Sequence, residues 1–126
     1  MMELDNLKAE GHLQHEVVVA TLNVFGRTLK RNSVGGRDHN RDHHCMIVMG
    51  DGVEPGVIGG LTESTRDFAA KPIQSTTGEG VDGGDIPLSD TLGAAGKTLG
   101  ALMGVDEARL DEMVTPGKVV RAAIKT

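Results

Sequence analysis

The apolar positions of this chain fall into two continuous runs and one spaced series. Glu16 to Leu22 reads Glu-Val-Val-Val-Ala-Thr-Leu, and Cys45 to Met49 reads Cys-Met-Ile-Val-Met before Gly50-Asp51-Gly52. Runs of this kind, without alternation, mark strands covered on both faces, as in a parallel sheet. The spaced series is Leu88, Leu92, Ala95, Leu99 and Leu102, which keeps helical periodicity after Pro87. Ser89 or Asp90 is placed to cap that helix and Gly104 to end it.

Weaker signals fill the remainder. Leu4 and Leu7 ahead of Gly11 predict the C-terminal half of a helix over 2–10, and Asp106 to Met113 predicts a short helix. Lys118 to Ile124 predicts a last strand after the Pro116-Gly117 turn, and 53–60 a turn with a short edge segment. Thr62 to Asp67 reads as loop, with short extended pieces at 70–75 and 84–87 around a glycine-rich turn at 78–84. The expected organisation is one α/β domain over 1–126. It comprises a strand-loop-strand core at 1–60, a glycine-rich region at 61–87, and helices with a final strand at 88–126.

Composition narrows the picture. Phe25 and Phe68 are the only aromatic residues, so the core must be built from aliphatic side chains and lacks large anchors; Phe25 is expected in it. Glycines at 93, 96 and 100 inside the best helix each cost up to about 1 kcal/mol against alanine, so close packing is expected there. The net charge of -5 and a basic cluster of Arg27, Lys30, Arg31, Arg37 and Arg41 interrupted by acids argue against a nucleic-acid partner. No apolar run is long enough for a membrane span, and no signal peptide opens the chain. Cys45 stands alone, which excludes an internal disulfide, and is expected to be a buried structural thiol rather than a nucleophile.

The chemistry concentrates between the two strand-like runs. Gly36-Arg37-Asp38-His39-Asn40-Arg41-Asp42-His43-His44 holds three of the five histidines and two aspartates within nine residues. Imidazole nitrogen and carboxylate oxygen are the donors that zinc, manganese and iron accept. In an open α/β sheet a loop leaving a strand's carboxyl end is where sites form. The plainer readings stand beside this one: Asp38 capping a turn, His43-His44 as a solvated loop end, Arg27 pinning carbonyls, His12 and His15 on the surface. Gly50-Asp51-Gly52 lacks both the phosphate-loop lysine and the dinucleotide spacing.

The order Val-Val-Val, Phe25-Gly26-Arg27-Thr28, Asn32, Gly36-Arg37-Asp38-His39-Asn40, then strand, Gly-Asp-Gly-Val and Gly59-Gly60, resembles the C-terminal part of the bacterial domain of unknown function 1501 family. That family is usually grouped with sulfatases and the alkaline phosphatase superfamily. The resemblance implies a partial doubly wound, mostly parallel α/β sheet, the C-terminal portion of an alkaline phosphatase-like fold. It also implies a metal-dependent phosphate or sulfate ester hydrolase, with a divalent ion (zinc, manganese or calcium) held by Asp38 and His39. His43 and His44 match no family position and stand as further candidate ligands. Arg27 and Arg37 would hold the anionic ester, and Asn40 would orient a neighbouring group. Asn23 and Val24 stand where the family commonly has an acidic residue before Phe-Gly-Arg.

Nothing here matches the family's N-terminal half, which bears the nucleophile and the first metal aspartate. The chain is therefore expected to be a fragment or truncated product, inactive alone, that assembles as a homo-oligomer or with a missing N-terminal half. Full-length relatives are usually exported, so the lack of a signal here leaves the compartment open. The alternative is a non-catalytic binding or assembly module.

Overall fold

The computed structural model of the protein describes residues 2–11, 16–23 and 25–126; the expectations for His12, His15 and Val24 lie outside them. The elements are α1 (Met2–Ala9), β1 (Val19–Ala20), β2 (Gly26–Arg27), β3 (His39–Asn40), β4 (Val48–Met49), β5 (Leu61–Glu63), β6 (Phe68–Ala70), α2 (Thr91–Leu102) and α3 (Glu107–Met113), with 3-10 turns at 88–90 and 121–123.

The expected doubly wound, mostly parallel sheet is not what forms. The three ladders are short antiparallel pairs: β1 with β4, β2 with β3, and β5 with β6. A parallel pair needs a crossover of a dozen or more residues, usually a helix. The chain between β1 and β4 contains instead the β2–β3 pair and its loop, so it returns antiparallel. Nor are the two apolar runs covered on both faces. Val19, Leu22, Ile47 and Met49 are exposed while Val18 and Val48 are half-buried, the signature of strands wetted on one side. Cys45 is exposed and Phe25 is 41% exposed, against the expectation that both are buried.

The sequence loop at 62–67 is a β5–β6 hairpin, closed by Ser64 N–H to the Asp67 carbonyl at 3.0 Å. No final strand forms at 118–124. Val119 and Val120 are buried, a 3-10 turn follows, and Ile124 makes a single bridge to Val53.

The helices form where their spacing places them, but α2 buries Ala94, Lys97 and Thr98 rather than the spaced apolar series. Of that series Leu92 is 71% exposed, and Leu88, Ala95, Leu99 and Leu102 are half-buried. Asp90 occupies the N-cap of α2 without a side-chain capping bond, its carboxylate accepting from Ser89 Oγ instead. At the C-terminus Gly104 has φ +79°, and Val105 N–H and Gly104 N–H return to the Gly100 and Ala101 carbonyls, a Schellman closure. Close packing accounts for two of the three helix glycines. A Cβ at Gly93 would meet the Pro116 carbonyl and one at Gly100 the Leu110 side chain, whereas Gly96 faces open space. Lys97, 3% exposed, donates to Asp111 (2.6 Å) and to the Gly117 carbonyl (2.9 Å), tying α2 to α3 and to the turn after it.

The apolar core is small and lies late in the chain: Ile86, Ala94 and Val120, with Ile73, Ala122 and Ala123 packed against them. Among the described residues from 16 to 67, the buried ones are Asn40, His43 and Asp67. All three are polar, and two of them, Asn40 and Asp67, line the cleft where the candidate chemistry lies.

Candidate functional site

The β2–β3 pair sets Gly26 against Asn40 and Arg27 against His39, and Thr28 N–H extends it to the Asp38 carbonyl at 2.9 Å. The pair can approach the following segment only because residue 26 has no side chain, since a Cβ there would overlap the His43 carbonyl. Asn32 organises the intervening loop. Its Oδ1 accepts from Val34 N–H (3.2 Å) and Gly36 N–H (2.8 Å), and its Nδ2 donates to Asp38 Oδ1 at 3.0 Å. Arg37 closes the loop by donating from one guanidinium nitrogen to the Thr28 carbonyl at 2.7 Å and to that of Leu29.

The β5–β6 hairpin supplies the opposite wall through Asp67, 2% exposed. Its carboxylate accepts from Leu29 N–H (2.8 Å), Lys30 N–H (2.7 Å) and Asn40 Nδ2 (3.1 Å). Asn40 is spent in the same lock, donating also to the Phe68 carbonyl (3.0 Å) and accepting from Asp42 N–H (2.8 Å). Burial alone would push the Asp67 carboxyl up. The N–H groups of Lys30 and Leu29, the Asn40 amide and Phe68 N–H outweigh it and hold the carboxyl at about 2.

Between these walls opens a cleft of about 430 Å³. It is lined by Phe25, Thr28 and His39, by the buried Asn40 and Asp67, by half-buried Asp42, and by the exposed Arg41 and Arg66, which form its rim. Thr28 Oγ1 accepts Asp38 N–H at 3.0 Å, which leaves its own hydrogen free to donate. Arg66 has no polar partner among the described residues, and Arg41 reaches Asp42 only at 3.8 Å.

The proposed metal ligands are scattered over this arrangement. Strand alternation turns neighbouring side chains to opposite faces. The Asp38 carboxylate goes to Asn32, while the His39 ring lies against Phe25 with centroids 3.9 Å apart. His43 is buried with Nε2 unpartnered and 3.9 Å from Asp67 Oδ2, and His44 is exposed. Among the described residues no three His, Cys, Asp or Glu side chains are grouped to hold a metal ion. The donors among the described residues do not by themselves make a complete divalent-metal centre.

Of the two candidate anion holders, Arg37 is bonded to backbone carbonyls and Arg27 lies 5.4 Å over the Phe25 ring. Arg41 and Arg66 stand at the cleft instead. Sequence reasoning placed Arg41 only in the basic cluster and missed Arg66 and Asp67. An aspartate in a polar stretch such as Ser64-Thr65-Arg66-Asp67 gives no sign that it will be buried beneath another hairpin.

A family model described as protein of unknown function (DUF1501) matches residues 4–77, which include the whole cleft. No curated protein and no solved structure matches the chain.

Proposed function

The chain belongs to the DUF1501 family, and from that premise we propose that it binds the anionic group of a phosphate or sulfate ester in the β2–β3 cleft, without turning it over as an isolated chain. The observation that carries this reading is Arg66, exposed and without a polar partner among the described residues, at the rim of a cleft shared with Arg41, Thr28 and His39. A planar guanidinium fork suits a tetrahedral oxyanion, and the two rim arginines would grip it from outside. The Thr28 hydroxyl would donate to a third oxygen. Asp67 lies beneath, but its negative charge is spread over three N–H donors, which lowers its repulsion of an incoming anion.

The resemblance to metal-dependent hydrolases supports descent from an enzyme of that class. With Asp38 and His39 directed to different faces, no hydrolytic step follows from these residues. Titration calorimetry with inorganic phosphate and sulfate at low ionic strength tests the reading. Saturable binding is expected, weakened about tenfold in Arg66→Ala, the loss of one charge-assisted contact. Absence of binding at millimolar anion sinks it.

A second reading, an assembly module that pairs with another copy or chain, is favoured by Leu22, Val34 and Val57, exposed at 70%, 87% and 92%. A native mass equal to one chain removes it.

A further inference from the structure

We infer that the cleft selects esters whose alcohol part is an aromatic ring, that is, aryl phosphates or aryl sulfates. This rests on the anion-binding reading above and adds to it the other half of the ligand. One side of the cleft is a wall of flat π-systems. The Phe25 and His39 rings, both of which line the cleft, lie 3.9 Å apart at 34°, while the Arg27 guanidinium carbon, outside the lining, sits 5.4 Å from the Phe25 centroid. The β2–β3 register produces this grouping, since Arg27 pairs directly with His39 and Phe25 stands two residues before Arg27, at the entry to β2.

The wall is available. Phe25 is 41% exposed, His39 is exposed, and both line the cleft. One of the two aromatic side chains in the protein thus stays out of a core that has few large residues and lies beside the arginine rim. A ring entering the cleft can stack in offset or edge-to-face contact on His39 and Phe25 while its ester oxygens reach Arg66 and Arg41. The volume of about 430 Å³ is within the range of small-molecule sites. A short alkyl ester would meet the same arginines and gain nothing from the wall.

The test is titration of the whole chain with phenyl phosphate, phenyl sulfate, methyl phosphate and inorganic phosphate, for the natural protein and for Phe25→Leu, which keeps apolar bulk and removes the ring. Phenyl phosphate is expected to bind about tenfold more tightly than methyl phosphate, as stacking contacts allow. Phe25→Leu is expected to bring the two esters level. The phenyl sulfate arm shows whether the oxyanion is read as phosphate or sulfate; tighter binding of phenyl phosphate than of methyl phosphate supports the inference. Equal binding of phenyl and methyl phosphate overturns the ring inference and leaves the anion reading intact. Binding of none of the four ligands overturns both. A phenyl preference that survives Phe25→Leu overturns the role of the wall. If Phe25→Leu does not fold, NMR of the natural protein reads the same contact. Ring-current shifts of the His39 imidazole protons by phenyl phosphate and not by methyl phosphate support it, and their absence overturns it.

Discussion

His43 Nε2 lies 3.9 Å from Asp67 Oδ2, beyond hydrogen-bond reach, with side-chain exposures of 10% and 3%. The carboxylate oxygens of Asp67 are already engaged by Leu29, Lys30 and Asn40, so His43 is packed beside the lock without being part of it. Asp67→Ala is therefore expected to be the most damaging substitution between residues 16 and 67. It strands two N–H donors and the Asn40 amide, and should lower the thermal midpoint by more than about 5 °C, read by circular dichroism. Hydrogen exchange at Leu29 and Lys30 should accelerate selectively in Asp67→Asn, whose amide replaces one acceptor by a donor. His43→Gln should leave both exchange rates unchanged.

Acid should weaken the fold over a defined window. Asp67 is held at about 2 as described, and Asp85 at about 2 by Ser75 N–H, Lys118 and the Ser75 hydroxyl, against an ordinary value of 3.8. Both folded values are depressed, so the unfolded chain takes up protons first as pH falls. The stability these groups contribute is fully present above about 4 and is lost progressively as pH falls through about 2. Melting curves taken in steps of acidity should show a decline confined to this range, and Asp67→Asn combined with Asp85→Asn should flatten it.

Two glycines should respond in opposite directions to the same added methyl group. Gly26→Ala places a Cβ inside the His43 carbonyl and should break the β2–β3 approach, costing roughly 2 kcal/mol or more in denaturant titrations. Gly96→Ala meets nothing within 4 Å on an exposed face of α2 and should stabilise by up to about 1 kcal/mol.

Arg37 and Arg66 should separate structure from binding. Arg37→Ala releases the Thr28 and Leu29 carbonyls, and is expected to lower the melting midpoint with any loss of phosphate affinity following from unfolding. Arg66→Ala should weaken phosphate binding with the midpoint unchanged within about 2 °C, as for a surface substitution. Equal effects on both measurements in both variants would remove the distinction.

A zinc or manganese titration at micromolar metal is expected to give no stoichiometric binding, because no three donors converge among the described residues. Asp38→Ala should instead loosen the 32–38 loop, seen as faster exchange at Val34 and Gly36, which depend on Asn32.

The helices were legible because their spacing is local. Leu88 to Leu102 needs only its own periodicity, and Gly104 its own φ, to define α2 and its end. The sheet was misread because the Val17–Leu22 run has the composition of a doubly covered strand, and coverage depends on what the rest of the chain supplies. With no helix among the described residues between β1 and β4, the run stays half-wet and pairs antiparallel. The region of the site was legible as a density of polar groups, whereas the roles within it were not. Arg37 and Arg66 differ by which carbonyls and carboxylates lie nearby in space, and adjacent Asp38 and His39 look like one ligand pair until a strand turns them apart.

The polar character of the buried residues between 16 and 67 has a calorimetric consequence. Unfolding a region whose interior is Asn40, His43 and Asp67 wets little apolar surface, so it adds little to the heat-capacity change, unlike the release of Ile86, Ala94 and Val120. The cleft half should therefore lose stability almost linearly with temperature. The curvature of the protein's stability profile, and any weakening in the cold, should belong to the half that carries α2 and α3.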